Sequence, residues 1–167
     1  MNKTIGWSIV GAILVIAALF LAVPRLLNGG SAPATTSSSV VGERPDCPFT
    51  TVRGVDLPCL GGEKAEAGEG DVEKQIVNIW AWWCEPCREE LPMLADFARD
   101  NPDWEVVLVH ADRDEAKGSA MLTEMGIDLP SYSDKEGKFA ATLSLPNVVP
   151  LSFIGNDLHT GPITELP

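Results

Sequence analysis

The chain has 167 residues, with 12 lysines and arginines against 24 aspartates and glutamates, a formal net charge of −12. Such an acidic balance excludes non-specific binding to nucleic acid, which needs a basic surface. Hydrophobic residues make up 45% and charged residues 22%, which excludes both a disordered chain and a polytopic membrane protein. Four cysteines, Cys47, Cys59, Cys84 and Cys87, are too few for a cysteine-dense scaffold and point to particular jobs.

The composition is uneven along the chain. Ile5 to Val23 is a 19-residue stretch without a charge. A membrane-spanning helix takes about 20 mostly apolar residues, a signal-peptide core about 7–15. The length favours an uncleaved anchor within residues 1–27. The alternative is a signal segment cleaved around Ser31 to Ala34, which would leave a secreted protein. Lys3 and Arg25 nearly balance, and the free amino terminus tips the orientation towards an N-terminus inside. Residues 28–45 are rich in Gly, Ser, Thr, Ala and Pro and read as a flexible linker. Residues 46–167 then form the domain. From Glu43 onward the chain holds 10 basic and 24 acidic residues, so this part is repelled by an anionic membrane surface.

Cys47 and Cys59 lie six residues either side of Arg53. A hairpin with the three-residue loop Val52-Arg53-Gly54 would set them opposite each other, with Gly54 at the position needing positive φ. A structural disulfide is the favoured reading. Two buried thiols, or a second redox pair exchanging with Cys84 and Cys87, are the alternatives. Gly61 to Gly70 (GGEKAEAGEG) reads as an acidic loop.

Ile76, Val77, Ile79 and Trp80 form a buried strand. Cys84-Glu85-Pro86-Cys87 follows, and then a helix whose apolar positions are Cys87, Leu91, Leu94, Phe97 and Ala98. The C-x-x-C therefore sits where a strand meets a helix N-terminus. Unpaired N–H groups and the positive dipole end favour a thiolate there. Cys84 reads as the attacking thiol and Cys87, one turn inward, as the resolving thiol. Glu85 opposes the thiolate by adding a nearby negative charge. A structural disulfide and a zinc site are the alternatives. Zinc would recruit a second close pair of ligands, and neither Cys47 and Cys59 nor His110 and His159 supply one, so no metal is expected.

Glu90 lies three positions past Cys87 and four before Leu94, which turns it inward beneath the C-x-x-C. A buried carboxylate can exchange a proton near neutrality, and Cys87 must lose one to attack. The alternative is a side chain that snorkels to solvent. Arg88 and Glu89 read as solvated.

Trp104 to Ala111 reads as a buried strand. Asp112 to Met125 reads as a helix capped by Asp112 or Asp114, with Ala116, Ala120, Met121 and Met125 inward. That order implies a parallel pair with a right-handed crossover. A strand at 128–133 and a short helix near 135–144 follow.

The run from Val77 to Pro92, VNIWAWWCEPCREELP, resembles the thioredoxin superfamily, and within it the TlpA/ResA-like (DsbE-like) branch of membrane-anchored thiol–disulfide oxidoreductases. Asn78 stands where thioredoxin itself has a buried Asp, which argues for the tethered, extracytoplasmic branch. The helix glutamate implicated in that branch's redox chemistry maps onto Glu90. Asn147 to Ile154 (NVVPLSFI) resembles the cis-proline strand, in which Pro150 faces the C-x-x-C and Val149 hydrogen-bonds substrate backbone. Leu151 is unusual there and would narrow the groove.

The resemblance implies an α/β thioredoxin-like fold, a central mixed sheet flanked by helices, here with an N-terminal hairpin extension. It implies catalysis without a cofactor, with Trp83, Glu85, Pro86, Val149 and Pro150 shaping the substrate site. The expected activity is reduction of protein disulfides outside the cytoplasmic membrane, such as the haem-binding cysteines of apocytochrome c. A membrane electron donor of the CcdA/DsbD type would recharge the enzyme. One rival is a DsbE-like oxidant of secreted proteins; another is a non-catalytic binding module with a structural C-x-x-C. A third rival is a peroxidase-like thiol enzyme, but the sequence shows no separate peroxidatic Cys with an accompanying Thr. The family also places an edge strand and a final helix after Ile154, where 13 residues leave room for the strand alone. Either the sequence continues beyond Pro167 or one sheet face is thinly covered.

Overall fold

A computed structural model describes residues 40–167. The expected anchor and most of the linker lie outside the described residues. Among the described residues, no helix is long and apolar enough to cross a membrane.

The elements run in the order β1 (Thr51–Val52), β2 (Val55–Asp56), a 3-10 turn (Val72–Lys74), β3 (Gln75–Trp80), α1 (Glu85–Asp100), β4 (Glu105–His110), α2 (Glu115–Glu124), β5 (Ser131–Ser133), α3 (Lys138–Thr142), β6 (Leu151–Ile154) and β7 (Asp157–Thr160). Five strands form one sheet in the order β5-β4-β3-β6-β7. β3, β4 and β5 are parallel, while β6 runs antiparallel to both β3 and β7. This is the mixed α/β, thioredoxin-like architecture that the resemblance implies.

β3 is central, and all six of its residues are buried. Alternation along the strand sorts its side chains. Ile76 and Trp80 enter a cluster with Cys84, Cys87, Leu91 and Leu94 of the α1 side. Val77 and Ile79 enter a second cluster with Cys47, Val52, Val55, Tyr132 and Phe139. The two cysteine pairs therefore belong to different layers of the molecule.

Several local expectations are corrected. The β1–β2 turn has two residues, Arg53 and Gly54, both at positive φ (49° and 75°), rather than three. That is the conformation a tight two-residue hairpin requires. The strands are too short to reach the cysteines. Cys47 instead lies beside Lys64 and Cys59 beside Tyr132, and the two still join in a disulfide with Cα atoms 5.7 Å apart. The acidic loop is not free-standing, because Lys64 and Glu69 bridge to Cys47 and Thr51.

The buried face of α2 is turned from the expected one. Ala120 is exposed, Ala116 and Met125 are half-buried, and Gly118, Ser119, Met121 and Leu122 are buried. The helix lies close over β4, so its smallest residues face the sheet. Asp114, not Asp112, caps it by accepting from Lys117 N. β5 is shorter than expected because Pro130 has no N–H to give the ladder. α3 starts late because the Asp134 carboxylate accepts from Phe139 N (3.0 Å), setting Lys138 as its first residue.

Three residues of the expected linker already touch the domain. Val41 packs on the α1-side cluster. Gly42 N donates to Ser119 Oγ at 3.0 Å, and the Arg44 guanidinium donates to the carbonyls of Ile127 and Leu129. After β7 the described residues contain no helix. Instead Ile163 is buried in the α1-side cluster and Leu166 packs against it.

Candidate functional site

Cys84 is the N-cap residue of α1, with extended backbone and with Pro86 in the first turn. Its Sγ accepts from Cys87 N at 3.2 Å. The sulfurs of Cys84 and Cys87 are joined, their Cα atoms 5.3 Å apart. The helix begins here because Pro86 has no N–H that needs an acceptor and supplies a helical φ. A sulfur at the cap faces the unpaired N–H groups of the first turn, which stabilise it as a thiolate once reduced. Cys87 is wholly buried, and Cys84 is only 4% exposed, more sheltered than an attacking thiol at an open helix end.

The shelter comes from the flanking segments. Trp82 and Val149 both pack on the cluster that holds the two cysteines. The Val149–Pro150 peptide bond is cis. Trp83 is 56% exposed and Val148 50%. They border a shallow groove whose lining includes Ile79, Ala111, Val149 and Leu151. Glu85 lies on the other side of Trp83, in an open depression with Arg88 and Glu89. Trp83 thus shares the groove with Val149, whereas Glu85 lies outside it. Pro86 is half-buried in the first turn of α1.

Glu90 is 3% exposed, which removes the snorkelling alternative. Its Oε1 accepts from Asn78 Nδ2 at 2.6 Å and its Oε2 from the main-chain N–H of Ile163 at 3.0 Å. Asn78 Nδ2 also donates to Ser152 Oγ at 2.9 Å. Burial pushes the Glu90 carboxyl above the ordinary carboxylate range, and the bonds from Ile163 and Asn78 only partly offset it. Such a group holds or releases a proton nearer neutrality than a solvated glutamate does. Arg88 and Glu89 are exposed, as expected.

Asp112 was visible in the sequence only as a possible cap. In the structure Trp82 Nε1 donates to its Oδ1 at 3.1 Å and Trp83 Nε1 to its Oδ2 at 3.0 Å. The Lys117 ammonium stands over the Trp82 ring, 4.3 Å from its centroid. The available signal was position: an acidic residue just past the C-terminal end of a parallel strand, where α/β sheets build their sites. No pattern in the sequence pointed to Ile163. His110 is buried against Trp80, with ring centroids 4.7 Å apart, and His159 is on β7. Among the described residues no cluster of His, Cys, Asp and Glu could hold a metal ion.

The profile of the Redoxin family matches residues 28–154. The thioredoxin-like protein YneN of Bacillus subtilis is 31% identical over 117 residues, 65% of this chain and 69% of YneN. The thiol–disulfide oxidoreductase ResA of Bacillus thuringiensis is 26% identical over 97 residues, 57% of this chain and 56% of ResA. The chain thus spans little more than half of that ResA. A secreted Mycobacterium tuberculosis disulfide oxidoreductase, described as homologous to Escherichia coli DsbE, has a similar fold at a TM-score of 0.52. It is 18% identical, over 66% of this chain and 85% of that one.

Proposed function

The chain belongs to the Redoxin family as a thiol–disulfide oxidoreductase of the ResA/DsbE type, and from that premise we propose that it reduces protein disulfides outside the cytoplasmic membrane. The observation that carries the reading is Cys84 at the N-cap of α1, bonded to Cys87 one turn inside.

In the reduced protein the Cys84 thiolate attacks one sulfur of the substrate disulfide. The substrate S–S bond breaks, a mixed disulfide forms, and the departing substrate thiolate takes a proton from solvent. Cys87 then gives its proton to Glu90 and attacks Cys84 Sγ. The Cys84–Cys87 bond forms, and the second substrate sulfur leaves, taking the proton back from Glu90. Two electrons and two protons pass from the dithiol to the substrate. Trp83, Val149 and Pro150 shape the groove, while Glu85, outside it across Trp83, and Pro86 in the first turn of α1 offer further substrate contacts.

In this reading residues 5–23 anchor the protein and the residues after them tether it. The apolar length of that segment supports this. The substrate class is an apocytochrome c thiol pair oxidised at its haem-binding C-x-x-C, and a membrane donor of the CcdA/DsbD type returns the electrons. The pattern shared with ResA supports both. Cys47–Cys59 serves as a staple, since it belongs to the opposite layer from Cys84 and Cys87.

Insulin reduction by the full chain tests the activity, with Cys84→Ser as control. Turnover by wild type and none by the variant is expected; equal rates overturn the reading. The direction is tested by the reduction potential of the Cys84–Cys87 pair. A value close to that of a strong oxidant, about −120 mV, reverses it.

A further inference from the structure

The segment after β7 enters the site through one main-chain group. Ile163 is buried with its side chain in the α1-side cluster, and its N–H reaches Glu90 Oε2 at 3.0 Å. Glu90 is held from the other side by Asn78 of β3. Its two oxygens thus meet one donor each, one from β3 and one from the segment after β7. A main-chain N–H donates and cannot accept, so this bond is strongest when the carboxyl is ionised.

Among the described residues no charged side chain bonds to Glu90, whose partners are Asn78 and the main chain of Ile163. The polar neighbours are Asn78 from β3, Ser152 from β6 behind Asn78, and Ile163 from the segment after β7. On α1 itself Arg88 and Glu89 point to solvent. Cys87 precedes Glu90 by three positions on the same buried face, at neighbour distance along a helix. One main-chain donor therefore makes up a large share of the polar environment of this carboxylate.

We propose that the main-chain N–H of Ile163 is a positioning group for the thiol chemistry, fixing Oε2 of Glu90 and favouring its ionised, proton-accepting form. The proposal rests on the role given to Glu90 above. It makes the segment around Ile163 part of the redox machinery, and gives that segment a purpose beyond covering the α1-side core.

Two substitutions separate the bond from the packing. Ile163→Pro removes the N–H and keeps an apolar ring. Ile163→Ala keeps the N–H and removes most of the side chain. The readout is the pH titration of Cys87, followed through its 13Cβ resonance in the reduced full chain, because the thiol is too buried for an alkylating reagent. Ile163→Pro is expected to move the midpoint set by Glu90 upward by about one pH unit, the scale of a lost hydrogen bond to a charged group. Ile163→Ala is expected to lower the melting temperature and leave the midpoint in place. An unmoved midpoint in Ile163→Pro, or equal shifts in both variants, overturns the proposal.

Glu90→Gln separates this failure from that of the underlying reading. If the profile keeps its midpoint in Glu90→Gln, the role of Glu90 falls and the proposal falls with it. If Glu90→Gln removes the midpoint and Ile163→Pro does not move it, the proposal alone falls. Should Ile163→Pro not fold, the amide proton resonance of Ile163 in the unaltered protein decides. It is expected to titrate with the Glu90 midpoint and to lose that titration in Glu90→Gln. A resonance that stays flat through the midpoint overturns the proposal.

Discussion

Gly118 of α2 stands directly against the imidazole of His110 at the end of β4: a Cβ on Gly118 would lie 2.7 Å from both Cε1 and Nε2. The glycine is what lets the helix approach the sheet so closely. In an ordinary helix, replacing Gly by Ala gains about 1 kcal/mol. Here the added methyl overpacks a buried ring, at a cost of roughly 1–3 kcal/mol. Gly118→Ala is expected to destabilise by about 1 kcal/mol net. Denaturant midpoints check this. In a His110→Ala background the clash is gone, and the same substitution is expected to stabilise.

His110 itself makes stability depend on pH. Its ring is fully buried and neither nitrogen has a hydrogen-bond partner among the described residues. Burial lowers its pKa from 6.5 to about 4, against the weaker pull of Asp112, Glu115 and Asp114. The folded state therefore binds fewer protons than the unfolded chain between those values. Stability from this group is complete above 6.5, falls as pH drops towards 4, and levels off below. The loss is on the order of 3 kcal/mol. Urea unfolding at several pH values, compared with His110→Leu, isolates it, since other groups titrate in both proteins. Parallel slopes in the two proteins would remove the assignment.

The central strand, the C-x-x-C, α1 and the inward turn of Glu90 were all legible in the sequence, because each follows from local periodicity. Pro150 was legible only through resemblance, since an X-Pro bond carries no local mark of its isomer. The face of α2 was misread because apolar spacing chose Ala116 and Ala120, while the sheet selected for size and took Gly118 and Ser119. The hairpin turn was misread because pairing Cys47 with Cys59 by strand register demanded an odd loop. Cys47 instead bridges to Lys64 and Cys59 to Tyr132, contacts too distant in sequence to infer. The bond from Ile163 to Glu90 spans 73 positions and uses main chain, so no side-chain pattern could announce it.

The Cys47–Cys59 pair is expected to matter for stability and not for turnover. It closes a separation of 12 residues, for which chain entropy gives about 3 kcal/mol, on a model-dependent basis. Cys47 lies wholly within the layer opposite Cys84 and Cys87. The double substitution Cys47→Ala, Cys59→Ala should lower unfolding free energy by roughly 2–4 kcal/mol. Insulin reduction per folded molecule should be unchanged. A matching loss of turnover at temperatures where the variant remains folded would make the pair a relay for the active cysteines.

Asp112 holds the exposed Trp83 in place. Trp83 is the most exposed large aromatic at the groove, and its indole N–H is tied to Asp112 while Trp82 occupies the other oxygen. An exposed ring without that bond samples several rotamers, and ordering it then falls to the substrate. Asp112→Ala is expected to raise KM for a protein disulfide by about fivefold, the scale of one partly exposed hydrogen bond. Reaction with a small disulfide, which makes little use of the groove, should change less. Asp112→Asn keeps one acceptor oxygen and sets a donor NH2 against the second indole N–H, so it should fall between wild type and Asp112→Ala. Tryptophan fluorescence provides the structural check, because loss of the fixed rotamer broadens the lifetime distribution. Equal effects on large and small disulfides would mean that Asp112 acts on Cys84 chemistry itself and not on the groove.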